Sequence, residues 1–312
     1  MVGAAPCSSK RRQSHPPMSL AADKDSKVLS SAPRGRMVDV GGRWLHVVRA
    51  GPVSARPLIL LEHGAFGCAA DWAEVQDRLA AKGLASLAYD RAGLGFSEPG
   101  PRPRDGAAIV CDLAAILREE GEAGPFVIVG HSMGGLMVRL YTLTHTDQIL
   151  GVVLVDAVTP DVILHPVGAR GVSAFHRLLG VVRHGARMGL MRPVAIFTGD
   201  RIGLPPEAAK EKRRSHGSPR HAHWAAEEVS QWRATSAQAR AADFPPAMPI
   251  AVITAGAKTV TALKEMQSVP AIASLNGYIE HVAGAGHASL LGRRFADPVV
   301  RGIEHVLATV KR

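Results

Sequence analysis

The chain is poor in the features that mark a secreted, metal-binding or membrane-spanning protein. It has three cysteines in 312 residues, Cys7, Cys68 and Cys111. Their odd number, with no CxxC pair and no metal-ligand spacing, points away from a disulfide framework and from a zinc site, so reduced thiols are expected. No run approaches the ~18 to 20 uninterrupted apolar residues of a membrane span, and the N-terminus lacks the continuous apolar stretch of a secretory signal. A cytoplasmic location is the resulting expectation. Aromatic residues make up only 4%, and no aromatic RNA-binding signature or recognition-helix motif accompanies the net charge of +10. That charge is uneven. Residues 1–36 carry 7 Lys and Arg against 2 acids, residues 157–245 carry 13 against 7, and the remainder carries 17 against 18. The excess therefore reads as solvated surface rather than a nucleic-acid footprint, and no nucleic-acid partner is expected.

What is present is a globular balance, 46% hydrophobic and 21% charged, enough for a sizeable core. Residues 1–36 stand apart. They are rich in Ser, Pro, Lys and Arg without hydrophobic periodicity, which reads as a disordered basic tail or an over-long start, with Met18 or Met37 as the true beginning. Their scarcity of acids before Asp23 is also the composition of a transit peptide. Order is expected from MVDV and RWLHVV, which flank Gly41 and Gly42, a pair suited to a two-residue hairpin turn. Short apolar runs then alternate with helical patterns. PLILLEHG (57–64), LASLAYD (84–90), PFVIVG (125–130) and GVVLVDA (151–157) read as strands. Between them, Asp71 with Glu74 three residues on reads as a capped helix start, and Asp105 opens a helix that Gly121 stops. The alternation predicts an α/β protein with a mainly parallel, doubly wound sheet of about eight strands. Residues 158–245 break the rhythm with short amphipathic pieces and read as an inserted helical lid. The core, 37–157, resumes over 246–312 with PIAVITAG, YIEHV and a last helix.

The strongest chemical signal is Gly130-His131-Ser132-Met133-Gly134-Gly135, directly between a predicted strand and a predicted helix. This is the setting of a nucleophile elbow, in which a tight turn exposes a serine hydroxyl and the flanking positions, Gly130 and Gly134, have no room for a side chain. Near the C-terminus, Gly284-Ala285-Gly286-His287 places a histidine between small residues after the last strand.

With His63-Gly64-Ala65-Phe66 after the third strand and the loop Asp90-Arg91-Ala92-Gly93-Leu94-Gly95-Phe96-Ser97, these motifs resemble the α/β-hydrolase superfamily over nearly all of residues 37–312. The resemblance implies Ser132 as nucleophile, His287 as general base, and an oxyanion hole formed by the backbone N–H groups of Ala65 and Met133. It gives the Asp90 loop a role in shaping the site floor and none in the chemistry. His131 is expected to point away from the reacting centre and His63 to buttress the oxyanion loop. His216, His221 and His223 cluster in the lid, but no carboxylate or cysteine pattern completes a metal site, so a solvated lid surface is expected and no metal.

The acid departs from the commonest pattern of the family, since AGAKTVTALKEM offers no carboxylate before Glu265. Asp156, at the end of GVVLVDA, is the natural substitute, with Asp161 as runner-up. The implied chemistry is cofactor-free acyl transfer. His287 takes the Ser132 proton, the alkoxide attacks a carbonyl, and water releases the acyl group. A serine at the elbow argues against the epoxide hydrolases and haloalkane dehalogenases of this fold, which use aspartate. A carboxylesterase acting on small or medium esters is the first reading; lactonase, amidase, carbon-carbon hydrolase, acyltransferase and cofactor-free peroxidase stay open. A reading from another class is a ligand receptor on a hydrolase fold with slow or no turnover. Membrane contact through the basic lid is not expected, because Arg-rich lids are ordinarily just soluble. The sequence leaves the substrate and oligomeric state undetermined.

Overall fold

A computed structural model of the chain describes residues 32–188, 201–256 and 261–310. The tail over residues 1–31, and the stretches 189–200 and 257–260 within the expected lid and after ITAG, lie outside them. Eight strands form one sheet: β1 (Arg36–Asp39), β2 (Trp44–Ala50), β3 (Leu58–Glu62), β4 (Ser86–Tyr89), β5 (Phe126–His131), β6 (Ile149–Val155), β7 (Ile250–Ala255) and β8 (Gly277–Val282). Their spatial order is β1-β2-β4-β3-β5-β6-β7-β8. β1 and β2 pair antiparallel, as do β2 and β4, and every later pair is parallel. The hairpin turn uses Gly41 and Gly42 at φ +83° and +86°, the positive angles a primed turn demands.

The central strands read as continuous apolar runs because they are covered on both faces. Leu58 and Leu60 of β3, Phe126 and Ile128 of β5, and Val152 and Leu154 of β6 point into one core. Their neighbours Ile59, Leu61, Val127, Val129, Val153 and Val155 point into the other. The first core is closed by α2 (Gly106–Glu119) and α3 (Gly134–Thr144), the second by α1 (Ala73–Ala81) and α10 (Asp297–Val310). Each buried Leu, Ile or Val side chain contributes about 1.5 to 3 kcal/mol to that closure. Asp105 caps α2, its Oδ1 accepting from Ala108 N–H at 3.0 Å.

Helices are inserted between β6 and β7, as expected of a cap: α4 (Pro160–Leu164), α5 (Pro166–Arg187), α6 (Pro206–His216), α7 (Pro219–Ser230) and α8 (Trp232–Ala239). α9 (Thr261–Ala273) follows β7. Among the described residues no helix is long and apolar enough to cross a membrane. Two local expectations need correction. Asp71 does not cap α1, which begins at Ala73 after a 3₁₀ turn over Ala69–Trp72; its buried carboxylate pairs instead with Lys212 of the insertion at 2.6 Å. Order also begins ahead of residue 37, because Arg34 is held by Glu211 at 3.0 Å. Of the cysteines, Cys68 is free and buried, whereas Cys111 is disulfide-bonded, against the expectation of reduced thiols; Cys7 lies outside the described residues.

Candidate active site

All the candidate residues stand at the C-terminal edge of the sheet, where open α/β sheets bind ligands. Ser132 sits where β5 turns sharply into α3, at φ +55°, a left-handed conformation that costs a non-glycine residue about 1 to 2 kcal/mol. Backbone bonds hold it there. Ser132 N–H donates to the Val155 carbonyl at 3.1 Å, and the Ser132 carbonyl accepts from Gly135 and Val158 at 3.0 and 2.8 Å. The flanking glycines are needed for room. A Cβ on Gly134 would lie 2.6 Å from the Glu62 carbonyl oxygen, and one on Gly130 would lie 2.8 Å from that of Gly134.

Asp156 ends the adjacent strand in a second strained turn, φ +42°. One carboxylate oxygen receives His287 Nδ1–H at 2.6 Å, and the other receives Ala255 N–H at 3.2 Å and the Gln267 amide at 3.4 Å. Burial alone would raise this carboxyl, but the His287 hydrogen bond and charge, with the Ala255 N–H, outweigh it and hold the group below the ordinary carboxylate range. Asp161 lies exposed in the first turn of α4 and Glu265 lies exposed on α9. Among the described residues neither meets the His287 ring. Ser132 and His287 line one cavity, and among the described residues no hydrogen bond joins their side chains. The N–H groups of Ala65 and Met133, from the turns after β3 and β5, meet no backbone carbonyl among the described residues.

Contrary to expectation, His131 does not point away from this centre. It lines the same cavity, its ring centroid is 4.6 Å from that of His287, and its Nε2–H donates to the His287 carbonyl at 3.0 Å. Burial, then the nearby His287 charge, pushes its pKa down to about 3, so it is a neutral brace for the His287 loop.

The loop after β3 is held from two directions. Fully buried Arg91 donates to the carbonyls of His63 and Gly64 at 2.6 and 2.9 Å, and to Glu228 of α7 at 2.8 Å. Glu62 pairs with the same guanidinium and accepts from the Tyr89 hydroxyl. Asp90 fixes its own loop by accepting from Ala69 and Phe96 N–H at 2.7 and 2.9 Å. From the other side, Phe66, at φ +58°, offers its carbonyl to His216 Nε2 at 3.1 Å, His221 Nε2 at 3.3 Å and Lys212 Nζ at 3.5 Å. The expectation that the insertion's histidines are solvated therefore fails for two of them. His221 is fully buried and His216 half-buried, and both supply the Phe66 carbonyl with donors that water would otherwise provide. The tautomer of His221 is fixed: Gly95 N–H donates to its Nδ1 at 2.9 Å, leaving the proton on Nε2. Among the described residues no group of three or more His, Cys, Asp or Glu side chains is placed to hold a metal ion.

The cavity has a volume of about 780 Å³. Its lining is largely apolar and includes Val162, Ile163, Val172, Phe175 and Trp232, the last two stacked at 5.9 Å. A family model described as alpha/beta hydrolase fold matches residues 57–172. The thermophilic esterase from Thermogutta terrifontis superposes with a TM-score of 0.66 at 20% identity, covering 88% of this chain and 98% of that one. The chain has the α/β-hydrolase fold. Two partial likenesses in sequence accompany it. Epoxide hydrolase A of Mycobacterium tuberculosis is 36% identical over 126 residues, 39% of this chain and 38% of that protein. An uncharacterized vacuolar membrane protein of Saccharomyces cerevisiae is 33% identical over 106 residues, 33% of this chain and 16% of that protein. The chain thus spans well under half the length of these curated relatives.

Within this α/β-hydrolase sheet, several supporting residues escaped the sequence reading. Glu62 had a visible signal, a carboxylate closing an apolar strand in LILLE. Gln267, which supports Asp156 from α9, had none, since its partner lies 111 residues away.

Proposed function

We propose that the protein is a serine hydrolase that cleaves carboxylic esters of small or medium size through an acyl-enzyme, without a cofactor. The observation that carries this reading is the strained serine at the elbow, sharing a cavity with a histidine whose Nδ1 is already committed to a buried carboxylate. In this reading Asp156 fixes the His287 tautomer with the proton on Nδ1, leaving Nε2 to take the Ser132 proton, and it stabilises the imidazolium that forms. A long or absent Ser–His bond without ligand is common in such sites and tightens when substrate is bound. The free N–H groups of Ala65 and Met133 meet the oxyanion of the tetrahedral intermediate without reorganising. His216, His221 and Arg91 hold the loop that carries one of these donors. A serine nucleophile separates this chemistry from that of the epoxide hydrolases of the fold, whose nucleophile is aspartate. The apolar wall suits an acyl chain, and the inserted helices act as its lid.

A fluorophosphonate probe and a series of p-nitrophenyl esters of rising chain length test the proposal together. Labelling at Ser132, turnover that depends on chain length, and a loss of about 10⁶ in kcat for Ser132→Ala in a folded protein are expected. Turnover retained by folded Ser132→Ala sinks it. A folded wild type that neither labels nor turns over would be a binding module on this fold.

A further inference from the structure

One wall of the cavity is not apolar. Ala209, Lys212, Arg213 and His216 all line it, and their spacing puts them on a single face of α6. Every other charged side chain of this helix is satisfied within the protein. Glu207 pairs with Lys210 at 2.7 Å, Glu211 with Arg34 at 3.0 Å and Lys212 with Asp71 at 2.6 Å, and Arg214 lies over the Phe96 ring at 5.3 Å. Arg213 is the exception: it faces the cavity, half-buried, and no carboxylate pairs with it among the described residues. Arg201, exposed at the same cavity and just ahead of the helix, is likewise without an acidic partner among them. His216 adds no compensating or competing charge, because burial and then Lys212 hold its pKa well below the ordinary imidazole value. Among the described residues Asp71 is the one acid of the lining, and it is committed to Lys212. Among the described residues, the cavity that opens on Ser132 therefore carries positive charge without an acidic partner, together with a largely apolar lining.

Taking up the ester-hydrolase reading, we propose that Arg213, assisted by Arg201, is an anion subsite and that the substrates are esters bearing a second, ionised group, a carboxylate in the simplest case. A guanidinium in a partly desolvated wall binds a carboxylate by charge-assisted hydrogen bonds, whereas a neutral ligand leaves it with nothing but water. The apolar lining of the same cavity takes the methylene chain that separates the two ends of such a substrate.

The test compares 4-nitrophenyl hydrogen adipate with 4-nitrophenyl heptanoate, an acyl chain of similar length without the charge. At low ionic strength kcat/KM should favour the adipate by about tenfold or more, the effect of one hydrogen bond to a charged group. Added salt should erode that ratio, since the subsite is open to solvent. In Arg213→Gln the ratio should fall about tenfold, chiefly through KM for the adipate, and Arg213→Glu should invert it. A wild-type ratio near or below one, or a ratio indifferent to both salt and Arg213→Gln, overturns the anion subsite while leaving ester hydrolysis standing. If neither ester is hydrolysed and Ser132 resists a fluorophosphonate, the hydrolase reading itself has failed and the subsite with it.

Discussion

At the scale of single residues, the candidate chemistry turns on Asp156. It occupies a strained backbone position at the end of β6, and its carboxylate has one oxygen for His287 and the other for Ala255 and Gln267. Asparagine keeps the shape and can still accept from Ala255, so folding should survive the change. What it loses is the charge that fixes the His287 tautomer. Asp156→Asn should therefore lower kcat by about 10⁴ with KM little changed, the cost of the equivalent change in serine proteases. Asp161→Asn, at an exposed site on α4, should leave turnover near the wild-type rate. Steady-state kinetics on the two variants decide the matter, and the opposite ranking would move the acid to Asp161. If both variants keep their turnover, Ser132 and His287 act as a dyad or with another carboxylate.

At the scale of elements, the insertion is tied to the C-terminal edge of the sheet by polar contacts, several of them buried. Glu228 on α7 reaches across to Arg91, which in turn holds the His63 and Gly64 carbonyls. Replacing one member of a buried ion pair strands the other charge, at about 3 to 5 kcal/mol. Because Glu62 would still neutralise Arg91, Glu228→Leu should cost about 3 kcal/mol, the lower end of that range. Urea denaturation measures it, and a change below about 1 kcal/mol would show that the bridge is dispensable. This tie also marks where the sequence stopped being legible. Strands such as PFVIVG and GVVLVDA could be read because apolar runs bounded by turn residues are local signals, and their registers follow from the sheet they build. The elbow and the Gly284-to-His287 loop were readable for the same reason. The helical partners of Arg91, Phe66 and Asp156, namely Glu228, His216 and Gln267, were not, because each lies more than 100 residues away, on helices whose own pattern shows amphipathicity but not what they face. His216 and His221 looked like solvated lid residues for that reason, and only packing against the Phe66 carbonyl reveals them as its donors, His221 fully buried and His216 half-buried.

At the scale of the whole molecule, the joint between insertion and core makes stability depend on pH in a predictable direction. Burial depresses the pKa of His63, His131, His216 and His221, in each case ahead of neighbouring positive charge. For His221 the folded value is pushed down to about 3, against about 6.5 in an unfolded chain. Between those limits the unfolded state binds a proton that the native state refuses. The stability associated with neutral His221 is therefore complete above pH 6.5 and drains away as pH falls toward 3, at up to about 1.4 kcal/mol per pH unit. Protonation would place a hydrogen on the Nδ1 that now accepts from Gly95, breaking that bond as well. Carboxyls complicate the total curve. Glu62 and Asp71 are pushed up by burial and act in the opposite sense, whereas Asp90 and Asp156 are held low and matter only below about pH 4. A difference measurement removes them. In His221→Gln the side-chain oxygen can accept from Gly95 and the amide nitrogen can donate to Phe66, with nothing to titrate. From pH 6 to 4.5 the wild type should lose about 2 kcal/mol more than this variant, one proton acting over one and a half units. Urea midpoints at a series of pH values test it. Parallel curves for the two proteins would mean that His221 takes up its proton in the folded state, and that the contact between insertion and the Phe66 loop opens before the molecule unfolds.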